Sequence, residues 1–172
     1  MGEGRITFVY RFNSEDMPPI GLRLKVEINT REHFSVYGLK KVPYRVSSRW
    51  FESECDIHSY ELDELLGTKL RALYQRKAGR DLFDLAFALS GGNADPERIV
   101  RAFLRYMDHE GHTITRALFE KNLALKMHDP AFLADISPLL SADYEWDPQA
   151  EAPVVASQLI DRMPGDPWKG SA

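Results

Sequence analysis

The sequence has little cysteine, no excess of basic residues and no long apolar run. Cys55 is the only cysteine among 172 residues, which excludes an internal disulfide and a metal site built from several cysteines. The formal net charge of -4 gives no broad attraction to nucleic acid or anionic membranes, although a local basic stripe can hold one phosphorylated ligand. No apolar segment is long enough to cross a membrane and no leading signal segment is visible. We therefore expect a soluble cytoplasmic protein.

The composition is that of a globular domain, with 44% hydrophobic and 28% charged residues. The first part of the chain has the patterns of strands, and the rest has the patterns of helices. We expect an α+β fold in which a partial sheet over residues 1–60 is followed by a helical region over residues 61–172. The two parts are predicted to pack as one compact unit.

The predicted strands run over residues 5–11 and 21–32, with shorter pieces around Tyr37, Tyr44 and Ile57. In the second strand apolar and polar residues alternate, so one face is apolar and the other is charged. Glu27 lies on the charged face. Solvent contact and metal ligation are both open for its carboxylate.

The predicted helices begin at residue 61, where leucines adopt three-and-four spacing. Asp-Pro pairs at 95–96 and 129–130 each supply an N-cap and a first-turn proline. A last helix is predicted near residues 153–162, before a stretch rich in proline and glycine.

Basic and acidic side chains are concentrated between residues 65 and 89. On one helix Lys69, Arg76 and Arg80 would lie within roughly 20° of a line, which makes a cationic stripe suited to phosphates. The alternative is a solvated face on which Arg80 and Asp84 form an exposed ion pair. Spacing alone leaves both interpretations open.

A bend would bring this polar set together. On one straight helix Lys69 and Asp84 would be about 22 Å apart, too far to share a ligand. Gly79 lies between them and can end the first helix, so that the next one folds back. Asp81 and Asp84, three residues apart, then share a face, and the cluster can position a triphosphate and a hydroxyl.

The segment ELLGTKLRALYQRKAGRDLFDL, residues 64–85, resembles the lysine-to-aspartate motif of the AbiEii/AbiGii nucleotidyltransferase toxin family. The strand sequence LRLKVEINTRE, residues 22–32, resembles the strand that carries a third acidic position in that family. The similarity covers roughly residues 5 to 160, with its most specific part at residues 61–89.

The resemblance implies a nucleotidyltransferase-like fold and transfer of a nucleoside monophosphate from a nucleoside triphosphate to an RNA or protein acceptor. It also implies Mg²⁺, a toxin–antitoxin or phage-defence context, and a cognate antitoxin as partner. Carried over by position, Lys69 holds triphosphate oxygens, Asp84 is the essential carboxylate and Glu27 is a metal ligand. Asp81 and Arg80 support the site, Asp81 as a further catalytic candidate. The predicted nucleotide-binding residues are Lys69 and Arg80 together with Arg76 of the cationic stripe. Such transfer depends on positioning and charge neutralisation, which these residue types provide.

One family signature is not found in the chain: a Gly-Ser turn followed by D-x-D. The only Gly-Ser pair is Gly170-Ser171, with no D-x-D after it. We therefore expect the chain to correspond to the C-terminal part of such a domain, with an incomplete metal clamp. Two functions stay open: a nucleotidyltransferase of this toxin type, with activity of this chain alone left open, and a non-catalytic module that binds nucleotide or antitoxin. A truncated sheet would expose its edge and apolar face, so a homodimer is also expected.

Overall fold

In the computed structural model the described residues are 4–30, 34–141 and 143–170. This part of the chain contains four β-strands and six α-helices. The strands are β1 (Arg5–Asn13), β2 (Gly21–Asn29), β3 (Leu39–Ser47) and β4 (Glu52–Tyr60). The helices are α1 (Leu62–Gln75), α2 (Gly79–Ser90), α3 (Pro96–His109), α4 (Arg116–Lys126), α5 (Pro130–Ala134) and α6 (Pro148–Gln158). All strands precede all helices, which confirms the α+β class.

The strands form two antiparallel hairpins instead of one partial sheet. Over the described residues β1 pairs only with β2, and β3 pairs only with β4. The strand piece predicted around Tyr37 is wrong, because β3 begins at Leu39. The second predicted strand ends at Asn29, and residues 31–32 of that prediction lie outside the described ranges.

Contacts within the chain divide it into two compact units, residues 1–35 and 36–172. The second unit therefore contains the β3–β4 hairpin together with the helices. The start of this unit is attached to α1, since the amides of Val36 and Tyr37 donate to the Glu64 carboxylate at 2.7 and 2.8 Å. The sequence pattern predicts where strands give way to helices, but it does not predict which strands belong to the same compact unit as the helices.

The alternation predicted for β2 produces an apolar face on the β1–β2 hairpin. The register pairs Phe8 with Val26 and Tyr10 with Leu24, so the apolar residues of both strands lie on one side. This face remains 39–54% exposed at every position: Ile6, Phe8, Tyr10, Phe12, Leu22, Leu24, Val26 and Ile28. A contiguous exposed patch of this kind is typical of a surface that binds another protein.

The buried core of the second unit is built by its helices. It includes six fully buried side chains from α1, α2 and α3: Leu70, Leu73, Leu82, Leu85, Ile99 and Phe103. Both predicted Asp-Pro helix starts are confirmed, because the carboxylates of Asp95 and Asp129 accept hydrogen bonds from first-turn amides. No helix in the described ranges is both long enough and apolar enough to cross a membrane.

The last helix begins earlier than the sequence suggested. Helix α6 starts at Pro148 and contains Pro153, and a 3-10 turn at Ile160–Arg162 follows it. The Asp147 carboxylate caps α6 by accepting from the Gln149 amide at 2.9 Å. The missed signal is thus the same Asp-Pro pair that marked the two earlier helices.

Candidate functional site

The predicted bend between Lys69 and Asp84 is confirmed. Helix α1 ends at Gln75 and α2 begins at Gly79. The chain then folds back so that Lys69 Nζ lies 2.5 Å from Asp84 Oδ2. One uninterrupted helix would separate these groups by about 22 Å. The two halves of the motif therefore meet in space, at the contact between α1 and α2.

The role predicted for Gly79 is wrong in its detail. The C-cap of α1 is Arg76, in an extended conformation with φ −125° and ψ 165°, so no left-handed glycine ends that helix. Gly79 is the first residue of α2, and an added Cβ there would lie 2.0 Å from the Phe132 carbonyl oxygen. Glycine is needed because the backbone of α5 approaches α2 closely.

Lys69 and Asp84 form the accessible part of the site. Their side chains are 39% and 38% exposed, and Lys69 Nζ also lies 3.7 Å from Asp81 Oδ1. An ion pair with this exposure typically contributes about 0.2–1 kcal/mol, because water screens it and two side chains must be ordered. A triphosphate can therefore compete for the lysine at little cost.

Asp81 forms the buried part of the site. Its side chain is fully buried, and Arg76 holds both carboxylate oxygens, with Nε 2.6 Å from Oδ2 and Nη2 2.7 Å from Oδ1. The hydrogen bond to Asp81 raises the pKa of the Arg76 guanidinium. A bidentate pair in this environment is geometrically fixed, so it provides a rigid base beneath Lys69.

The cationic stripe predicted for one helix does not form. Lys69 belongs to α1 and Arg76 follows its end, and both converge on Asp81. Arg80 belongs to α2 and contacts Asp135, with its amide 3.1 Å and its Nε 3.8 Å from Oδ2. The exposed Arg80–Asp84 pair, the alternative interpretation, is not the arrangement found. Arg80 is thus paired with a different carboxylate from the other two cations.

Glu27 belongs to the first unit, on β2. Its Oε1 lies 2.9 Å from Lys25 Nζ and 3.0 Å from Arg5 Nη1. The hydrogen bond from Lys25 lowers the pKa of Glu27. Within the described part of the chain, no group of three or more histidine, cysteine, aspartate or glutamate residues is placed to hold a metal ion. The assignment of Glu27 as a metal ligand stays a prediction.

Lys126 is a residue near the site that the sequence did not single out. Its ammonium is buried, and it donates to the carbonyl oxygens of Leu73 and Tyr74 at the end of α1, the latter at 2.8 Å. It thereby satisfies carbonyls that no helical amide can reach. The helical spacing indicates that Lys126 is buried, because it lies three residues after Leu123 and seven after Phe119, on the buried side of α4.

The burial of Lys126 predicts a pH dependence of stability. Burial lowers the pKa of Lys126 from 10.5 to about 8. Between these values the unfolded chain binds more protons than the folded one, so the free energy of unfolding rises with pH. We expect wild type to gain on the order of 3 kcal/mol relative to Lys126→Met between pH 8 and 10.5.

Urea denaturation of both proteins at several pH values measures this difference. Groups that titrate in both proteins cancel in the comparison. Parallel stability curves across this pH range would show that Lys126 does not titrate differently in the folded and unfolded states.

Comparison with known proteins identifies the class to which this fold and motif belong. A family model described as nucleotidyl transferase AbiEii toxin, type IV TA system, matches residues 2–152. The match includes β1 and β2 as well as the whole Lys69–Asp84 motif. The class is therefore that of nucleotidyltransferase-type toxins.

The chain belongs to the AbiEii nucleotidyl transferase toxin family, since the match covers most of its 172 residues. This confirms the resemblance drawn from the motif. Searches of the curated proteins and of the solved structures found no match.

Proposed function

We propose that the protein is a nucleotidyltransferase that moves a nucleoside monophosphate from a nucleoside triphosphate to an acceptor. The observation that carries the proposal is the contact between Lys69 and Asp84 across the α1–α2 bend, at 2.5 Å and open to solvent. Family membership supports the same chemistry. A cation and a carboxylate at one accessible point are the parts that such a transfer needs.

Each residue has a separate part in the proposed reaction. Lys69 binds triphosphate oxygens, and the Arg76–Asp81 pair fixes the turn beneath it. The acceptor hydroxyl oxygen attacks the α-phosphorus, the bond to the pyrophosphate oxygen breaks, and pyrophosphate leaves. The hydroxyl proton passes to a carboxylate, for which Asp84 is the candidate in this unit. Arg80, one helical turn before Asp84 and half-exposed in its pair with Asp135, is proposed to bind a further phosphate.

Mg²⁺ is part of the proposal, and the chain provides one kind of group that suits the ion, a carboxylate. Mg²⁺ is commonly bound by one or two carboxylates together with the phosphates of the substrate. Asp84 can supply such an oxygen in the second unit, and Glu27 in the first unit stays a predicted metal ligand. When bound, the ion would neutralise charge on the triphosphate. Among the described residues no group of three or more histidine, cysteine, aspartate or glutamate side chains is placed to hold a metal ion. The roles in phosphate binding and proton transfer are therefore assigned to protein side chains alone.

Calorimetric titration with each nucleoside triphosphate and Mg²⁺, followed by transfer of a radiolabelled nucleotide, tests the proposal. We expect Lys69→Ala to weaken nucleotide binding by about tenfold, as loss of one charge-assisted contact predicts. We expect Asp84→Asn to bind nucleotide but to transfer little label. Label recovered in RNA or in protein identifies the acceptor.

Lys41→Ala is the matched control, because Lys41 is also an exposed lysine paired with a carboxylate, 3.8 Å from Asp56. It should bind and transfer as wild type does. Equal losses in Lys41→Ala and Lys69→Ala would show that general charge, and not the α1–α2 site, binds the nucleotide.

A non-catalytic binding module is the second candidate, favoured by the exposed apolar face of the β1–β2 hairpin. The family is that of type IV toxin–antitoxin systems, so we propose an antitoxin as the partner for this chain. Nucleotide binding that depends on Lys69, with no label transferred to any acceptor, would favour the module. Homodimer formation through the same face stays a prediction.

A further inference from the structure

Four aromatic side chains form a cluster on α2 and in the segment before α6: Phe83, Phe87, Tyr144 and Trp146. The ring of Phe83 is stacked with that of Phe87, with centroids 6.0 Å apart and planes 15° apart. Tyr144 and Trp146 approach Phe83 at steep angles, with centroids at 5.6 and 5.0 Å. Phe83 is therefore held from several sides, and it fixes the plane in which Phe87 stacks.

Phe87 continues this stack into solvent. Its side chain is 60% exposed, whereas Phe83 and Trp146 are partly buried. Attachment of the 143–147 segment to α2 explains why Phe83 and Trp146 are aromatic. It does not explain an exposed phenylalanine at residue 87, because that ring has only one side packed against the cluster.

The position of Phe87 on α2 places it next to the proposed phosphate site. Residues three apart on a helix are neighbours, with Cβ atoms about 5–6 Å apart, so Phe87 and Asp84 share one part of the helix surface. Their separation along the helix axis is about 4.5 Å. A nucleotide with phosphates on Lys69 thus has an aromatic ring within reach of its base.

We infer that Phe87, supported by Phe83, is a stacking platform for the nucleobase of the bound nucleoside triphosphate. This inference rests on the proposed function of the Lys69–Asp84 site and adds where the base is bound. Stacking uses the π-face that every base has, so the platform favours nucleotides over inorganic phosphates without selecting one base. Selection among bases would need hydrogen-bonding groups in addition.

Calorimetric titration of wild type and Phe87→Ala with each nucleoside triphosphate and with inorganic triphosphate tests this inference. We expect Phe87→Ala to weaken binding of all nucleoside triphosphates by about tenfold, the loss of one stacked base. Binding of inorganic triphosphate should be unchanged, because it has no base. Phe87→Trp keeps an aromatic ring at this position, so it should bind nucleoside triphosphates as wild type does.

Leu125→Ala is the control for removal of an exposed apolar side chain, since Leu125 on α4 is 67% exposed. It should not change binding of either ligand. Nucleotide affinity of Phe87→Ala within about twofold of wild type would overturn the inference, and so would an equal loss for inorganic triphosphate. In both cases Lys69-dependent binding of triphosphate would leave the proposed function standing. If wild type bound neither ligand, the proposed function would fail, and the platform with it.

Discussion

Replacing Gly79 with alanine is expected to lower the free energy of unfolding by about 3 kcal/mol or more. The new Cβ would lie 2.0 Å from the Phe132 carbonyl oxygen and 3.1 Å from its carbonyl carbon. These are backbone atoms of α5, so the contact cannot be relieved by a rotation of a flexible side chain. Helix α5 would have to move away from α2, and Phe132, which is 1% exposed, would leave its place in the core.

The Gly79→Ala substitution should also perturb the Lys69–Asp84 site, because Asp135 follows α5 and accepts a hydrogen bond from the Arg80 amide at 3.1 Å. Urea denaturation measures the stability, and triphosphate titration measures the site. Gly91→Ala is the control, since Gly91 has φ −73° and an added Cβ there would meet only the Ala88 carbonyl oxygen at 3.5 Å. It should be neutral or slightly stabilising. Equal stability of the two variants would contradict the close approach of α5 to Gly79.

The second large effect is expected at Glu64. Its carboxylate is fully buried and accepts from the amides of Val36 and Tyr37 and from the Tyr106 hydroxyl at 2.7 Å. Glu64→Ala would leave these donors without that acceptor, one of them on a side chain that is only 2% exposed. We expect a loss of about 3–5 kcal/mol, since a buried donor that loses its acceptor costs about 1–3 kcal/mol and two part-buried amides lose theirs as well.

Glu64→Gln should lose less, because it keeps one acceptor oxygen of the same shape while placing an amide group against a donor. Asp108→Ala should change stability by less than about 0.5 kcal/mol, because Asp108 is 77% exposed in a loose pair with Arg105 at 3.7 Å. Urea denaturation of the three variants gives the order. A Glu64→Ala variant as stable as Asp108→Ala would show that the carboxylate does not anchor the 36–37 segment.

Asp81 and Asp84 show which properties of the site the sequence alone predicts. With about 100° per residue, the buried leucines of α2 at 82, 85 and 89 define one side of the helix, and Asp81 lies nearer to that side than Asp84 does. The structure agrees, with Asp81 fully buried and Asp84 38% exposed. The difference in burial was therefore contained in the spacing. The identity of the partner was not, because Arg76 reaches Asp81 only after the chain has turned.

The hydrogen-bond partners of Lys126 and Glu64 are what the sequence could not supply. A lysine and a glutamate within helices are ordinarily solvated, and both are buried here. Lys126 is held by carbonyl oxygens of α1, and Glu64 is held by main-chain amides before β3 and by Tyr106 on α3. The partners lie between 27 and 53 residues away along the chain. No short-range pattern encodes such contacts.

The sequence by itself determined the period of each segment, the Asp-Pro starts of three helices, the apolar side of the first hairpin and the family motif. These features depend on residues within one helical turn or on alternate strand positions, so they can be read locally. Tertiary structure decided that Lys69 meets Asp84, that Arg76 clamps Asp81, and that Arg80 contacts Asp135. Those contacts arise only when separate helices pack, because packing brings together groups whose separation along the chain says nothing about their distance in space.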